Sequence, residues 1–359
     1  MPTRTLACVS ALLFAVLLAR TGLAQSPDVS QGDYVIHGFT FRSGESLPEL
    51  RVHYRTLGAP ARDAKGVVTN AVLVLHGTTG SGANFIRPEF SGELFGKGQP
   101  LDAARYYIII PDDIGHGGSS KPSDGLHGKF PRYGYRDMIE AERRLVVEGL
   151  KVDHLRLVMG TSMGGMHTWL WAGAYPDLMN AALPLASLPV EISGRNRVWR
   201  QMISDAIRTD PEWNGGEYAN QPRSLRLAAE VLYFVSSNPT VRFHEAPTGE
   251  RAAKALADFA DNAMRTMDAT DVLYAVESSR DYDPEPLLES IKAPLLAINF
   301  ADDLINPPGL GILEREIGRV KKGKAVVIPE SEKTRGHGTH TLAAIWKQHL
   351  VALLAETER

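Results

Sequence analysis

Three stretches of the chain carry residue types with the spacing to do chemistry together. Gly160-Thr161-Ser162-Met163-Gly164 is a G-x-S-x-G pentapeptide. A serine hydroxyl is a poor nucleophile until a base takes its proton, so a histidine oriented by a carboxylate should follow in the order Ser, Asp, His. Both follow: Asp302 and Asp303 stand after the apolar run APLLAINF, and His337 lies in RGHGTH. The oxyanion formed when a serine attacks an acyl carbon needs backbone N–H donors fixed in advance. One is expected from Met163, the residue after the nucleophile, and the other from LVLHGTTGSG, at Thr78. That segment lacks the Lys-Ser/Thr ending of a phosphate-binding P-loop and the spacing of G-x-G-x-x-G.

The chain has 11 histidines, so the choice of base needs a reason. His337 and His340 form an H-x-x-H pair, but no third ligand is evident and the loop lacks a helical register. No metal and no cofactor are expected. His340 reads as a structural neighbour, and His116 in PDDIGHGGSS as a residue that shapes its loop by hydrogen bonding.

Residues of this kind work only if other elements hold them. Ser162 follows the strand-like LRLVM and precedes the helical run MHTWLWAGAYP, a strand-turn-helix setting too tight for side chains at Gly160 or Gly164. Residues 34–57 alternate apolar and polar about a Gly-Ser-Gly turn region, which predicts antiparallel strands. Short apolar runs at 71–75, 106–110 and 155–159 predict buried strands, with a helical pattern, RDMIEAERRLVVEGL, between the second and third. Strand, helix and strand in that order imply an α/β fold: a mostly parallel sheet with crossover helices. Another strand is expected at 181–186. Residues 191–286 then read as helical, with breaks such as DPEWNGGEY and SSNPT. The strand pattern resumes at 293–300 and 325–328, and a helix over 341–354 closes the chain. The layout is a core over 25–190 and 287–359, interrupted by a helical cap insertion at 191–286 that would roof the site.

At 359 residues, 43% hydrophobic and 23% charged, the chain can bury a large core. A formal net charge of -3 and a pI near 6.4 supply no broad basic field, so nucleic acid is not an expected partner. The first residues carry Arg4, an apolar run around Leu12 to Leu18, and small Gly22 and Ala24 before Gln25. They predict a signal peptide over 1–24, cut after Ala24, and hence a secreted or periplasmic protein. Arg20 leaves the run too short to span a membrane comfortably. Cys8, the single cysteine, would leave with that segment, so the mature chain would have no disulfide, Cys nucleophile or thiolate metal site.

The blocks LVLHGTTGSG, FPRYGYRDMIEAERRL, MGTSMGGMHTWLWAGAYPDLM, RQMISDAIRTDPEWNGGEY and GHG run in the order found in one family. The chain resembles the homoserine O-acetyltransferase family of α/β-hydrolase-fold proteins, over nearly all its length after the leader. The block in the cap is the most diagnostic, because general hydrolases do not share it. The resemblance implies Ser162 as nucleophile, His337 as base, Thr78 and Met163 as oxyanion donors and Asp303 as acid. Asp303 stands four residues before Pro307, the spacing usual in this fold; Asp302 is the alternative.

Two departures bear on activity. Where the family places an Arg that holds the amino-acid substrate, SLRLAA ends in Ala229, and where it follows its catalytic His with a substrate-contacting Asp, this chain has Gly338. A site without that cation and that anion would bind free homoserine poorly. Arg226, three residues from Ala229, would replace the missing cation only from a position one turn away. The expectation is a serine hydrolase acting on a small ester, less so an amide, through an acyl-enzyme. The alternatives are an O-acyltransferase on a hydroxy amino acid or other alcohol, and a non-catalytic small-ligand-binding protein. The expected partner is a small-molecule acyl substrate, with no membrane contact beyond export; a homodimer is left open.

Overall fold

Runs of five or six apolar residues with no polar face have to be covered on both sides, and the central strands of this chain are of that kind. The structure, a computed structural model, describes residues 28–358; the leader expected over 1–24 lies outside them. Eight strands form one sheet: β1 Val29–Thr40, β2 Ser46–Leu57, β3 Ala71–Leu75, β4 Tyr107–Pro111, β5 Leu157–Thr161, β6 Ala182–Leu185, β7 Leu295–Phe300 and β8 Gly323–Ile328. Their spatial order is β1-β2-β4-β3-β5-β6-β7-β8. β1 and β2 pair antiparallel and β2 meets β4 antiparallel; from β4 to β8 every pairing is parallel. Every residue of β3, β4, β5 and β7 is buried.

The strand carrying the pentapeptide is displaced from its apolar run. The run 155–159 predicts the strand there, whereas β5 covers Leu157–Thr161 and Leu155 makes only an isolated bridge to Met179. The ladder decides this: Val72 of β3 sits opposite Leu157 and Leu75 opposite Gly160, while Thr161 sits opposite Leu185 of β6. Hydrogen bonding therefore carries the strand up to the residue before Ser162.

Helices cover both faces. α1 Tyr135–Arg144 continues into one wider turn at Leu145–Gly149, and α2 Met163–Ala174 starts directly after Ser162. They pack on one face with Trp169, Leu170 and Trp171 at their contact with the sheet, beside the short α8 Ile312–Glu316. On the other face α9 Ala343–Glu356 inserts Trp346 and Leu350 against β-strand residues such as Val74, Met159 and Ile298. Between β6 and β7 lie α3 Gly194–Thr209, α4 Ser224–Val235, α5 Pro239–Glu245, α6 Gly249–Thr266 and α7 Ala269–Glu277. These bury a core of their own around Ile203, Ile207, Leu225, Leu273 and Val276. Among the described residues no helix is long and apolar enough to cross a membrane.

Candidate active site

Ser162 is the hinge between β5 and α2, with φ 57° and ψ −114°, a left-handed backbone that a side chain rarely adopts. The turn is held from both ends: the Ser162 N–H donates to the Leu185 carbonyl at 3.0 Å, and its carbonyl accepts from Met166 N–H at 2.9 Å. A Cβ on Gly160 would run into the Gly164 backbone, and one on Gly164 into the Leu75 carbonyl. Only glycine lets strand, turn and helix approach this closely.

Three side chains then form a line. The Ser162 hydroxyl lies 2.9 Å from His337 Nε2, and His337 Nδ1 lies 2.7 Å from Asp303 Oδ2. His337 comes from the loop after β8 and Asp303 from the loop after β7. Asp303 Oδ1 also accepts the N–H groups of Ile305 at 2.7 Å and Asn306 at 3.1 Å. Burial works against ionisation of Asp303, but the His337 imidazole and these N–H donors outweigh it and hold its carboxyl below the usual carboxylate value. Asp302 faces elsewhere, accepting from Asn238 Nδ2 at 2.8 Å and Gly336 N–H at 2.7 Å. It therefore ties the start of α5 to the loop that carries His337.

Met163 is the first residue of α2, so its N–H precedes any intrahelical acceptor and sits at the positive end of the helix dipole. Thr78 follows Gly77, whose own Cβ position would lie 3.4 Å from Ser162 Cβ. The Gly77 carbonyl is bonded by His76 Nδ1 at 2.9 Å and by Gly80 N–H at 3.0 Å. In a trans peptide the next N–H, that of Thr78, points the opposite way. Neither the Thr78 nor the Met163 N–H has a hydrogen-bond acceptor among the described residues.

His340 meets His337 edge to face, ring centroids 5.1 Å apart, an arrangement of packing and not of chelation. Burial pushes His340 down to about 3, so it is neutral. His116, likewise pushed to about 3 by burial, bonds through Nδ1 to the Ile114 carbonyl at 3.0 Å and packs on His76. The described residues hold one group with ligand atoms close enough for a metal: Asp113, Glu142 and His167, all buried, within 4.8 Å of one another. Burial and the adjacent Glu142 raise the Asp113 carboxyl well above its ordinary value. His167 Nδ1 at 2.9 Å and Trp171 Nε1 bond Glu142, whereas both Asp113 carboxyl oxygens and His167 Nε2 are buried without a hydrogen-bond partner among the described residues.

The serine opens on a cavity of about 470 Å³ between the sheet loops and the cap helices. Phe85, Phe90, Trp199, Leu232, Val235, Phe259 and Met267 give it apolar walls. Its charged lining consists of Arg87 and Arg200, besides the histidines, with no carboxylate among the lining residues. Arg226 is not part of it: this side chain pairs with Asp261 at 2.6 Å on the outside of the cap. Sequence reasoning missed Asn306, which braces Asp303 and donates to the Ala186 carbonyl at 2.8 Å, and His76, which pins Gly77. Each lies within three residues of a predicted site residue. Arg200 opens the cap block RQMISDAIRTDPEWNGGEY, but nothing in that block marks its side chain as facing the serine.

Residues 70–332 match the family described as alpha/beta hydrolase fold. The chain is 31% identical over 278 residues to a probable acyltransferase of Methanothermobacter thermautotrophicus, covering 77% of this chain and 84% of that protein. It superposes on a homoserine O-acetyltransferase from Bacillus anthracis with a TM-score of 0.79 at 21% identity, over 91% of this chain and 97% of the other. An acetylester hydrolase from Corynebacterium glutamicum superposes with a TM-score of 0.78 at 20% identity, over 91% and 96%.

Proposed function

Because the chain belongs to the α/β-hydrolase fold family, in its homoserine O-acetyltransferase-like branch, we propose that it is a serine hydrolase cleaving a small ester through an acyl-enzyme. The observation that carries this reading is the unbroken line Ser162, His337, Asp303 at 2.9 and 2.7 Å on the floor of the cavity. His337 Nε2 takes the Ser162 proton as Oγ attacks the acyl carbon, and Asp303 accepts from Nδ1–H and stabilises the imidazolium. The Thr78 and Met163 N–H groups take the negative oxygen of the tetrahedral intermediate. The imidazolium then protonates the departing alcohol, and a water activated by the same nitrogen releases the acid.

Hydrolysis is favoured over transfer by the absence of the family's two substrate-holding groups at Ala229 and Gly338, and by Arg226 being committed to Asp261. Export, part of the same proposal, would remove the enzyme from cytoplasmic acyl-CoA and leave water as the ready acceptor. The second reading, an O-acyltransferase, draws on the likeness to the Methanothermobacter acyltransferase and to the Bacillus homoserine O-acetyltransferase. A fluorophosphonate probe and short-chain aryl esters test the mechanism: wild type should label and turn over, and Ser162→Ala should do neither. Equal labelling of the two proteins would overturn the mechanism. Acyl-CoA offered with hydroxy amino acids decides between the readings, since acceptor-dependent ester formation exceeding hydrolysis would make transfer the activity.

A further inference from the structure

The cavity holds a charge that nothing around it neutralises. Arg200, on the inner side of α3, is 3% exposed. Its Nε donates to Asn196 Oδ1 at 3.1 Å and its guanidinium stacks over the Trp199 ring at 4.5 Å. Its Nη1 is buried with no hydrogen-bond partner, and no carboxylate lies within ion-pair distance of it among the described residues. The guanidinium is a buried cation that offers donors only. Buried charges are ordinarily paired, because an unpaired one forfeits its hydration.

Two further polar atoms at the same place lack partners. The Tyr135 hydroxyl lies beside both Arg200 and Thr78, and neither it nor Thr78 Oγ1 completes a hydrogen bond of good geometry. Thr78 and Arg200 both line the cavity that holds Ser162. The guanidinium only donates, and the phenol and the hydroxyl, which can donate or accept, can turn their O–H groups towards an anion next to the nucleophile. Carboxylates are missing from that lining, so a substrate ammonium would meet a cation and no counter-charge.

Resting on the hydrolase reading of the site, we propose that the substrate is an ester bearing a carboxylate, held by Arg200, and bearing no ammonium group. The acceptable ligands are therefore hemiesters of dicarboxylic acids or acylated hydroxy acids, and zwitterionic O-acyl amino acids are excluded.

Binding to the Ser162→Ala protein tests this without depending on turnover. Calorimetry would compare 4-acetoxybutanoate with its methyl ester, which lacks the charge, and with O-acetylhomoserine, which adds the ammonium. Monomethyl glutarate, beside dimethyl glutarate, places the carboxylate on the acyl side. At least one of the two carboxylates should bind tenfold or more tighter than its neutral ester, and which one does tells the half of the substrate that Arg200 reads. 4-Acetoxybutanoate should also exceed O-acetylhomoserine by tenfold or more. Arg200→Met in the same background should abolish the preference for charge, and Arg200→Lys should keep part of it, which separates loss of the cation from loss of the fold. Equal affinities for charged and neutral esters, a preference that survives Arg200→Met, or tight binding of O-acetylhomoserine would each overturn the inference. Fluorophosphonate labelling of the protein with Ser162 intact reports on the hydrolase reading separately.

Discussion

Asp302 and Asp303 are neighbours in the chain and both buried, yet their surroundings give them different work. Asp303 spends one oxygen on two backbone N–H groups and the other on the imidazole. Asp302 spends one on Asn238 and Gly336. Replacing Asp303 by Asn puts an amide where the imidazole needs an acceptor; kcat should fall by about 10³–10⁴ with the fold retained. Asp302→Asn should instead lower unfolding stability, by about 1–3 kcal/mol for a buried network, and leave kcat within about tenfold. Steady-state kinetics on an aryl ester together with urea titrations separate the two, and a larger kcat loss in the Asp302 variant would exchange their roles.

Elements supply what the residues lack, namely fixed position. The ladder pulls β5 on to Thr161 and the elbow hands the chain straight to α2, so Ser162 stands at a strand end and a helix start at once. The close approach of α2 to β3 is possible because Gly164 has no side chain. Gly164→Ala would press a methyl into a backbone carbonyl that has no rotamer to escape by. A cost at or above the upper end of the 1–3 kcal/mol typical of overpacking is expected, about 3 kcal/mol, with loss of activity because the elbow must move. Denaturant midpoints and residual esterase rate check this; a variant with unchanged stability and rate would show that the elbow has slack. His76 acts at the same scale, bonding the Gly77 carbonyl and so fixing the peptide unit to which the Thr78 N–H belongs.

Specific bonds tie the cap to the sheet domain. Tyr274 of α7 donates to the carbonyls of Gly128 and Phe130, Asn238 reaches Asp302, and Asp271 of α7 accepts from Ser123 N–H at 2.9 Å and Ser123 Oγ at 2.6 Å. Burial pushes Asp271 up to about 6. Its folded value lies above its unfolded one, so its contribution to stability is fully present below pH ~4 and is lost as the pH rises to about 6, where the unfolded chain releases a proton that the folded chain keeps. The change amounts to about 2–3 kcal/mol. Asn at this position cannot ionise, and the Ser123 hydroxyl can turn to accept from it. The stability of Asp271→Asn relative to wild type should therefore rise between pH 4 and 7. Urea unfolding across that range measures it, and parallel profiles for the two proteins would contradict it.

The sequence makes chemistry legible wherever that chemistry is written locally. The pentapeptide, the order of serine, acid and base, the apolar runs of β3 and β7 and the interruption between β6 and β7 all follow from short-range sterics and hydrophobic period. Strand ends were displaced by about two residues at β5, because a strand stops where its neighbours stop pairing and not where its own apolar residues end. Spacing to Pro307 favours Asp303 over Asp302, but their different contacts are set by which oxygen meets which donor in the folded chain. That Arg200 has no counter-charge lies beyond reach of the sequence, since an unpaired charge is a property of everything that surrounds it. Only the packing of α3 over the sheet loops brings that cation to Thr78 and Ser162, and with it the reason for expecting an anionic substrate.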